Sequence, residues 1–104
     1  MIDTLKKIFG FSEPIDFARL AREGAMILDV RSKGEYAGGH IKGSVNIPVD
    51  QLGQSLKRLP GKDKAIITCC ASGMRSATAR TLLKSNGYHQ VFNGGSWFSL
   101  KNKL

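Results

Sequence analysis

Apolar and polar residues form two kinds of pattern along this chain. Four short apolar runs have the length and side-chain types of buried strands: 26–30, 44–47, 65–68 and 90–92. Between them lie segments whose apolar residues recur at helical spacing or that form a helical turn: 16–23, 33–37, 51–59 and 75–85. Strands separated by helices predict an α/β fold: a mainly parallel sheet of four to five strands with helices on both faces.

The 104 residues are enough for one domain with one modest core. We predict an N-terminal extension of helical character over residues 1–14, a folded domain over 15–100 and a basic tail over 101–104. No apolar run has the length of a signal peptide or a membrane span. The two cysteines are adjacent, so they cannot link distant parts of the chain. These features predict a cytoplasmic protein without stable membrane insertion.

The basic charge of the chain does not by itself indicate nucleic-acid binding. Sixteen Lys and Arg against eight Asp and Glu give a formal net charge of +8. The basic residues are scattered in ones and twos, and no patch combines them with aromatic residues. We therefore expect no nucleic-acid partner, and we interpret the charge as a field that favours small anions.

The most informative segment is 68–76, where a buried strand gives way to a helix around two cysteines. Small residues and Gly73 allow a tight loop whose backbone N–H groups turn inward. Such a loop, closed by a helix N-terminus, stabilises negative charge on a thiolate or a bound anion. In parallel sheets ligands bind at the carboxyl ends of the strands, where this loop is predicted to lie.

Three groups of residues together resemble the rhodanese-like domains, a family of sulfurtransferases and their relatives. The resemblance extends over roughly residues 15 to 98 and rests on these segments: Leu28–Ser32, Glu35–Tyr36, Gly39–Ile41, Gly43–Ser44 and Asn46–Pro48; Cys70–Ser76; and Gly87–Tyr88, Val91, Gly94–Gly95 and Trp97. It implies a three-layer fold of the rhodanese type.

The resemblance also implies a reaction. The loop cysteine of the family, here Cys70, takes a sulfane sulfur from a donor such as thiosulfate or a persulfide and passes it to a thiophilic acceptor. The implied partners are a small anionic donor, a thiol or cyanide acceptor and, as a further candidate, a protein acceptor, with no metal or organic cofactor. The remaining loop residues are the expected anion cradle: Ala71, Ser72, Gly73, Met74, Arg75 and Ser76.

The position of the cysteine that faces the loop decides the chemistry. Counted from Cys70, the loop has the CxxxxR spacing of sulfurtransferases; counted from Cys69, it has the CxxxxxR spacing of cysteine-dependent phosphatases and arsenate reductases. We predict that Cys69 is the last strand residue and points away from the loop, which favours sulfur chemistry. A weakly catalytic module that relays sulfur only to a partner is the other alternative.

Several polar residues near the predicted site have supporting or functional interpretations. Asp29 and Arg31 flank the carboxyl end of the first buried strand, where they either pair structurally or steer an anion at the rim. Cys69 joins them as a rim or support residue. His40 is interpreted as a hydrogen-bonded structural residue rather than a general base. Glu35 is interpreted as part of a helical-turn scaffold.

Overall fold

The protein is represented by a computed structural model that describes residues 14–104. Its four strands form one parallel sheet in the order β2-β1-β3-β4. The strands are β1 (Met26–Asp29), β2 (Val45–Asn46), β3 (Ile66–Cys70) and β4 (Val91–Ser96). This sheet confirms the predicted α/β class and the parallel arrangement. The central β3 pairs with both β1 and β4, so its carboxyl end lies in the middle of the sheet edge.

Helices alternate with the strands along the chain and cover both faces of the sheet. They are α1 (Phe17–Arg22), α2 (Lys33–Ala37), α3 (Val49–Leu52), a 3-10 turn (Leu56–Arg58), α4 (Met74–Ser85) and α5 (Trp97–Lys103). Local signals mark several of their ends. The Asp16 side chain caps α1 by accepting a hydrogen bond from the Arg19 amide. Ser32 and Glu35 form a reciprocal capping box at the start of α2.

Alternation along the strands divides the core into two clusters. On one face Leu28 and Ile66 pack with Leu83 of α4. On the other face Ile27 and Ile67 pack with α1 and α5, including Leu100. Because successive strand residues point to opposite faces, neighbours in sequence belong to different clusters. The result is the predicted three-layer arrangement, with the sheet in the middle.

One predicted helical segment differs from the structure. The segment 51–59 is not one helix, because α3 begins after Pro48 and ends at the Gly53 cap, and a separate 3-10 turn follows. Residues 101–104, the predicted basic tail, begin within a helix. The helix α5 continues to Lys103 and is held to the sheet by the buried Leu100.

The last strand is longer than the predicted 90–92 and runs to Ser96. Its Gly94 lies against β3 and α5: a Cβ there would come within 2.9 Å of Ile67 Cγ2, Leu100 Cδ2 and the Thr68 carbonyl oxygen. The missing side chain therefore allows α5 to approach the sheet. This part of β4 was not predicted from the sequence, because Gly94 and Gly95 have low strand propensity.

The predicted N-terminal extension over 1–14 lies, apart from its last residue, outside the described part of the chain. From residue 14 onward, none of the helices has the length and apolar character needed to cross a membrane.

Candidate active site

The site is the loop between β3 and α4 at the carboxyl edge of the sheet. The strand ends at Cys70, and Gly73 caps the 12-residue helix α4 with a left-handed φ of +106°. A side chain at Gly73 would be strained by that conformation. The loop also lies close to β4, because a Cβ on Gly73 would be 3.5 Å from the Gly95 Cα.

The Cys70 sulfur lies inside this loop and receives backbone hydrogen bonds. The Gly73 N–H donates to Sγ at 2.9 Å, and the Ser76 N–H donates at 3.3 Å. The Cys70 thiol in turn donates to Ser76 Oγ at 3.4 Å. Cys70 is fully buried, while Ala71 and Ser72 form the exposed crown of the loop. These contacts match the inward-facing amides that the sequence predicted.

The loop makes Cys70 more acidic than an ordinary thiol. Burial, the largest single influence, would raise its pKa, but the hydrogen bond with the Ser76 hydroxyl, and after it those from the Ser76, Gly73 and Ser72 amides, together lower the pKa. The start of α4 adds the positive end of a helix dipole. A thiolate at Cys70 is therefore favoured by its surroundings.

Asn93 of β4 completes the hydrogen bonding behind the sulfur. Its Oδ1 accepts from Ser76 Oγ at 2.6 Å and from the Gly95 amide at 2.9 Å. Its Nδ2 donates to the Gly73 carbonyl at 3.3 Å. The sequence analysis missed this residue. The signal available was an amide side chain directly before Gly94–Gly95, within a segment that resembles the family.

Cys69 lies on the opposite face of the sheet from Cys70. It is buried with Ile27, Ile67 and Leu100. Burial, and after it the negative charge of Asp29, raises the pKa of the Cys69 thiol to about 12. The expectation that Cys69 ends the strand is wrong, since β3 includes Cys70. The predicted direction of its side chain is nevertheless what the structure has, because strand residues alternate.

Arg75 forms an ion pair with Glu35 of α2. Its Nη1 donates to Glu35 Oε1 at 2.7 Å, and its Nη2 donates to Glu35 Oε2 at 2.9 Å. Hydrogen bonding from Arg75, followed by that from the Ser32 amide, lowers the Glu35 pKa to about 2. The cradle role of this guanidinium stays a prediction, and its contact with Glu35 could not be anticipated from the sequence because Glu35 comes from a distant segment.

Asp29 and Arg31 form a buried ion pair beneath the site. Arg31 Nη2 donates to Asp29 Oδ2 at 2.7 Å, and the Arg31 amide donates to Asp29 Oδ1 at 3.0 Å. The same guanidinium donates to the Gly39 carbonyl at 2.7 Å and to the Glu35 carbonyl at 3.3 Å, and lies 4.6 Å from the Trp97 ring centroid. Of the two interpretations, structural pairing is the one observed.

His40 also has structural contacts. Its Nδ1 lies 2.7 Å from the Tyr36 carbonyl oxygen, and its ring stacks on the Tyr36 ring with centroids 3.8 Å apart. The Tyr36 hydroxyl donates to the Ser44 carbonyl at 2.7 Å. The pair thus fixes the turn after α2.

An open cleft of about 270 Å³ lies beside Arg75. Its lining includes Val30, Lys33, Val49 and Asp50, so it lies between the segments that follow β1 and β2. Within residues 14–104 no group of three or more His, Cys, Asp or Glu side chains is arranged to hold a metal ion.

Comparison with known proteins adds to this geometry. The family model of the rhodanese-like domain matches residues 13–102. The chain belongs to this family. The match includes every strand and helix described above except the last residue of α5, Lys103, and it extends two residues beyond each end of the predicted domain.

Relatives of this rhodanese-like domain have varied names. It is 38% identical over 69 residues to the uncharacterized protein YqhL of Bacillus subtilis, covering 66% of the chain and 54% of YqhL. It is 32% identical over 81 residues to the tRNA uridine(34) hydroxylase of Escherichia coli, covering 73% of the chain and 23% of that enzyme. The chain thus spans about half of one relative and under a quarter of the other.

Two solved structures of similar size are matched over nearly their whole length. The human single-domain sulfurtransferase TSTD1 superposes with a TM-score of 0.73 at 30% identity, covering 84% of this chain and 89% of that one. A rhodanese with anions from E. coli gives a TM-score of 0.69 at 27% identity, covering 73% and 91%. Both confirm the rhodanese fold.

Proposed function

We propose that this rhodanese-like domain is a sulfurtransferase that carries sulfane sulfur on Cys70. The observation that carries the proposal is the pair of amides aimed at Sγ, from Gly73 at 2.9 Å and Ser76 at 3.3 Å. They stabilise a thiolate, which is the nucleophilic form of cysteine. The same amides are placed to hold the charge of a persulfide.

The loading step is a displacement at sulfur. The Cys70 thiolate attacks the outer sulfur of the donor, a new S–S bond forms, and the S–S bond of the donor breaks. The leaving group takes the electron pair: thiosulfate leaves as sulfite, and an organic persulfide leaves as a thiolate. The charge is conserved, because one anion replaces another on the protein and in solution.

The unloading step reverses these roles. A thiolate or cyanide attacks the terminal sulfur of the Cys70 persulfide, the S–S bond breaks, and Cys70 leaves as a thiolate stabilised by the loop amides. Its lowered pKa makes Cys70 a better leaving group. Neither step requires a metal or an external electron carrier. A protein thiol is a further candidate acceptor.

The placement of Cys69 supports sulfur transfer over the phosphatase or arsenate reductase alternative. That alternative counts the loop from Cys69, whose side chain is buried among Ile67 and Leu100 on the other face. The hydroxylase relative supports no second proposal, because the match covers 23% of that protein.

Intact mass spectrometry after incubation with thiosulfate or cysteine persulfide tests the proposal. The protein should gain the mass of one sulfur atom, and a thiol or cyanide should remove it. Cys70→Ser should gain none, whereas Cys69→Ser, the matched control, should load like the parent protein. Loading that persists in Cys70→Ser, or that is absent with both donors, would contradict the assignment.

Turnover separates an enzyme from a relay module. Repeated release of sulfur to small acceptors indicates an enzyme. Stable loading without release to small acceptors, followed by transfer to a protein thiol, would instead indicate the relay alternative.

A further inference from the structure

The active-site loop has one basic side chain, and that side chain is already paired. Among residues 70–76 only Arg75 is charged. Its guanidinium meets the Glu35 carboxylate in a bidentate contact of 2.7 and 2.9 Å, with each side chain 38% exposed. A bidentate pair of this kind is strong and directional. The positive charge beside the buried sulfur is therefore largely neutralised.

Glu35 is held in position independently of Arg75. Its Oε1 accepts from the Ser32 amide at 3.1 Å and from Ser32 Oγ at 3.0 Å. Its carbonyl oxygen accepts from the buried Arg31 at 3.3 Å. Because its pKa is about 2, Glu35 is ionised at any physiological pH. The carboxylate is thus preorganised to hold the Arg75 guanidinium in this pair.

Counted together with Glu35, the partner of Arg75, the side chains of the cleft next to the loop carry no net positive charge. Its charged lining residues are Lys33, Asp50 and Arg75. The negative charge of Asp50 offsets the positive charge of Lys33 in this lining, and Glu35, which lies outside the lining, forms an ion pair with Arg75. A dianion that approaches the cleft meets two positive and two negative side chains. The guanidinium would be free to compensate the charge of the dianion only if Arg75 left Glu35.

We propose that Glu35 is a specificity-determining residue that withholds the Arg75 charge and thereby favours monoanionic persulfide donors over the thiosulfate dianion. The inference rests on the proposed function. An incoming dianion is repelled by the Cys70 thiolate more strongly than a monoanion is, so it depends more on a free guanidinium. Glu35 acts on the reaction through Arg75 and does not contact the sulfur.

The test is Glu35→Gln, which removes the charge and retains the capping box, because Gln also serves at that position of a helix. The matched control is Glu23→Gln, which removes the charge of an exposed carboxylate 3.1 Å from Arg19 on α1. Both variants change the net charge equally. The rate constant for loading of Cys70 is measured by rapid quench and intact mass, with thiosulfate and with cysteine persulfide.

We expect Glu35→Gln to raise the thiosulfate rate constant about tenfold, as electrostatic attraction of a charged substrate commonly does. Loading by cysteine persulfide should change less than about threefold by the same reasoning. The thiosulfate gain should decrease as salt is added, since the released charge is partly exposed. The gain in the thiosulfate rate constant should also be lost in the double variant Glu35→Gln/Arg75→Gln. That loss would show that Glu35 acts through Arg75.

Two results would overturn the inference while leaving the proposed function intact. One is a thiosulfate rate constant in Glu35→Gln equal to that in Glu23→Gln, with persulfide loading normal. The other is an equal gain with both donors, because donor charge would then not be what Glu35 discriminates. Absence of loading with either donor in all proteins would overturn the proposed function and this inference together.

Discussion

Asn93 Oδ1 accepts a hydrogen bond of 2.6 Å from Ser76 Oγ, which joins β4 to the first turn of α4. Ser76 is in contact with the Cys70 sulfur through both its amide and its hydroxyl. The loop is therefore braced from the neighbouring strand. Asn93 itself does not contact the sulfur in the structure; it positions a residue that does.

The Ser76 hydroxyl should control the acidity of Cys70. We expect Ser76→Ala to raise the Cys70 pKa, since this hydroxyl is the largest influence that lowers it. Loss of one hydrogen bond to a charged group should slow alkylation at neutral pH about tenfold. The measurement is the rate of iodoacetamide labelling against pH. Thr78→Ala, which removes an exposed hydroxyl from the same helix, is the control and should label at the parent rate.

The two adjacent thiols should differ widely in reactivity. Cys70 has a pKa below the 9.0 of an ordinary thiol, and Cys69 has a pKa of about 12. Labelling of the native protein should therefore occur at Cys70, reach its plateau at lower pH than labelling of a free thiol, and spare Cys69. Peptide mapping after brief labelling checks this. Comparable labelling of both cysteines in the native state would contradict the burial of Cys69.

Acid should weaken the contact between Glu35 and Arg75. The Glu35 pKa falls from 4.5 to about 2 in the folded protein, so its contribution to stability is complete above pH 4.5 and is lost as the pH falls towards 2. Urea unfolding of the parent and of Glu35→Gln should give free energies that differ near neutral pH and converge towards pH 2. If the difference in free energy of unfolding stayed constant from neutral pH to pH 2, the contact between Glu35 and Arg75 would not be its cause.

Breaking the buried ion pair should be costly. Arg31→Ala would leave the Asp29 carboxylate buried without its partner, which typically costs about 3–5 kcal/mol. The double variant Asp29→Asn/Arg31→Met removes both charges and should recover part of that loss. Urea unfolding measures both. A loss below about 1 kcal/mol in Arg31→Ala would place the pair among weak surface contacts.

Local pattern predicted much of the fold and the centre of the site. Apolar runs at 26–30 and 65–68 identified β1 and β3, because a strand buried on both faces has a nearly continuous apolar sequence. Small residues before the helix of 75–85 indicated the loop that surrounds Cys70. Both signals come from residues close together in the chain.

The contacts that complete the site come from distant segments. Glu35 reaches Arg75 because the segment after β1 lies beside the loop after β3, and Asn93 reaches Ser76 because β4 pairs with β3. Hydrophobic periodicity gives the face of a side chain but not the order of the strands. The ends of β3 and β4 were also uncertain, since cysteine and glycine have weak strand signals.

The parallel sheet determines when, during folding, the Cys70 thiol acquires its lowered pKa. Each strand pair joins segments far apart in sequence, such as Met26 with Ile66 and Ile66 with Val91, so these strands form no hairpin that could assemble early. We expect the thiol to acquire its acidity only when β3 and α4 have docked, which stopped-flow labelling during refolding would follow. Until then Cys70 should react as slowly as any thiol in an unfolded chain, so the site becomes reactive only in a molecule that has already folded.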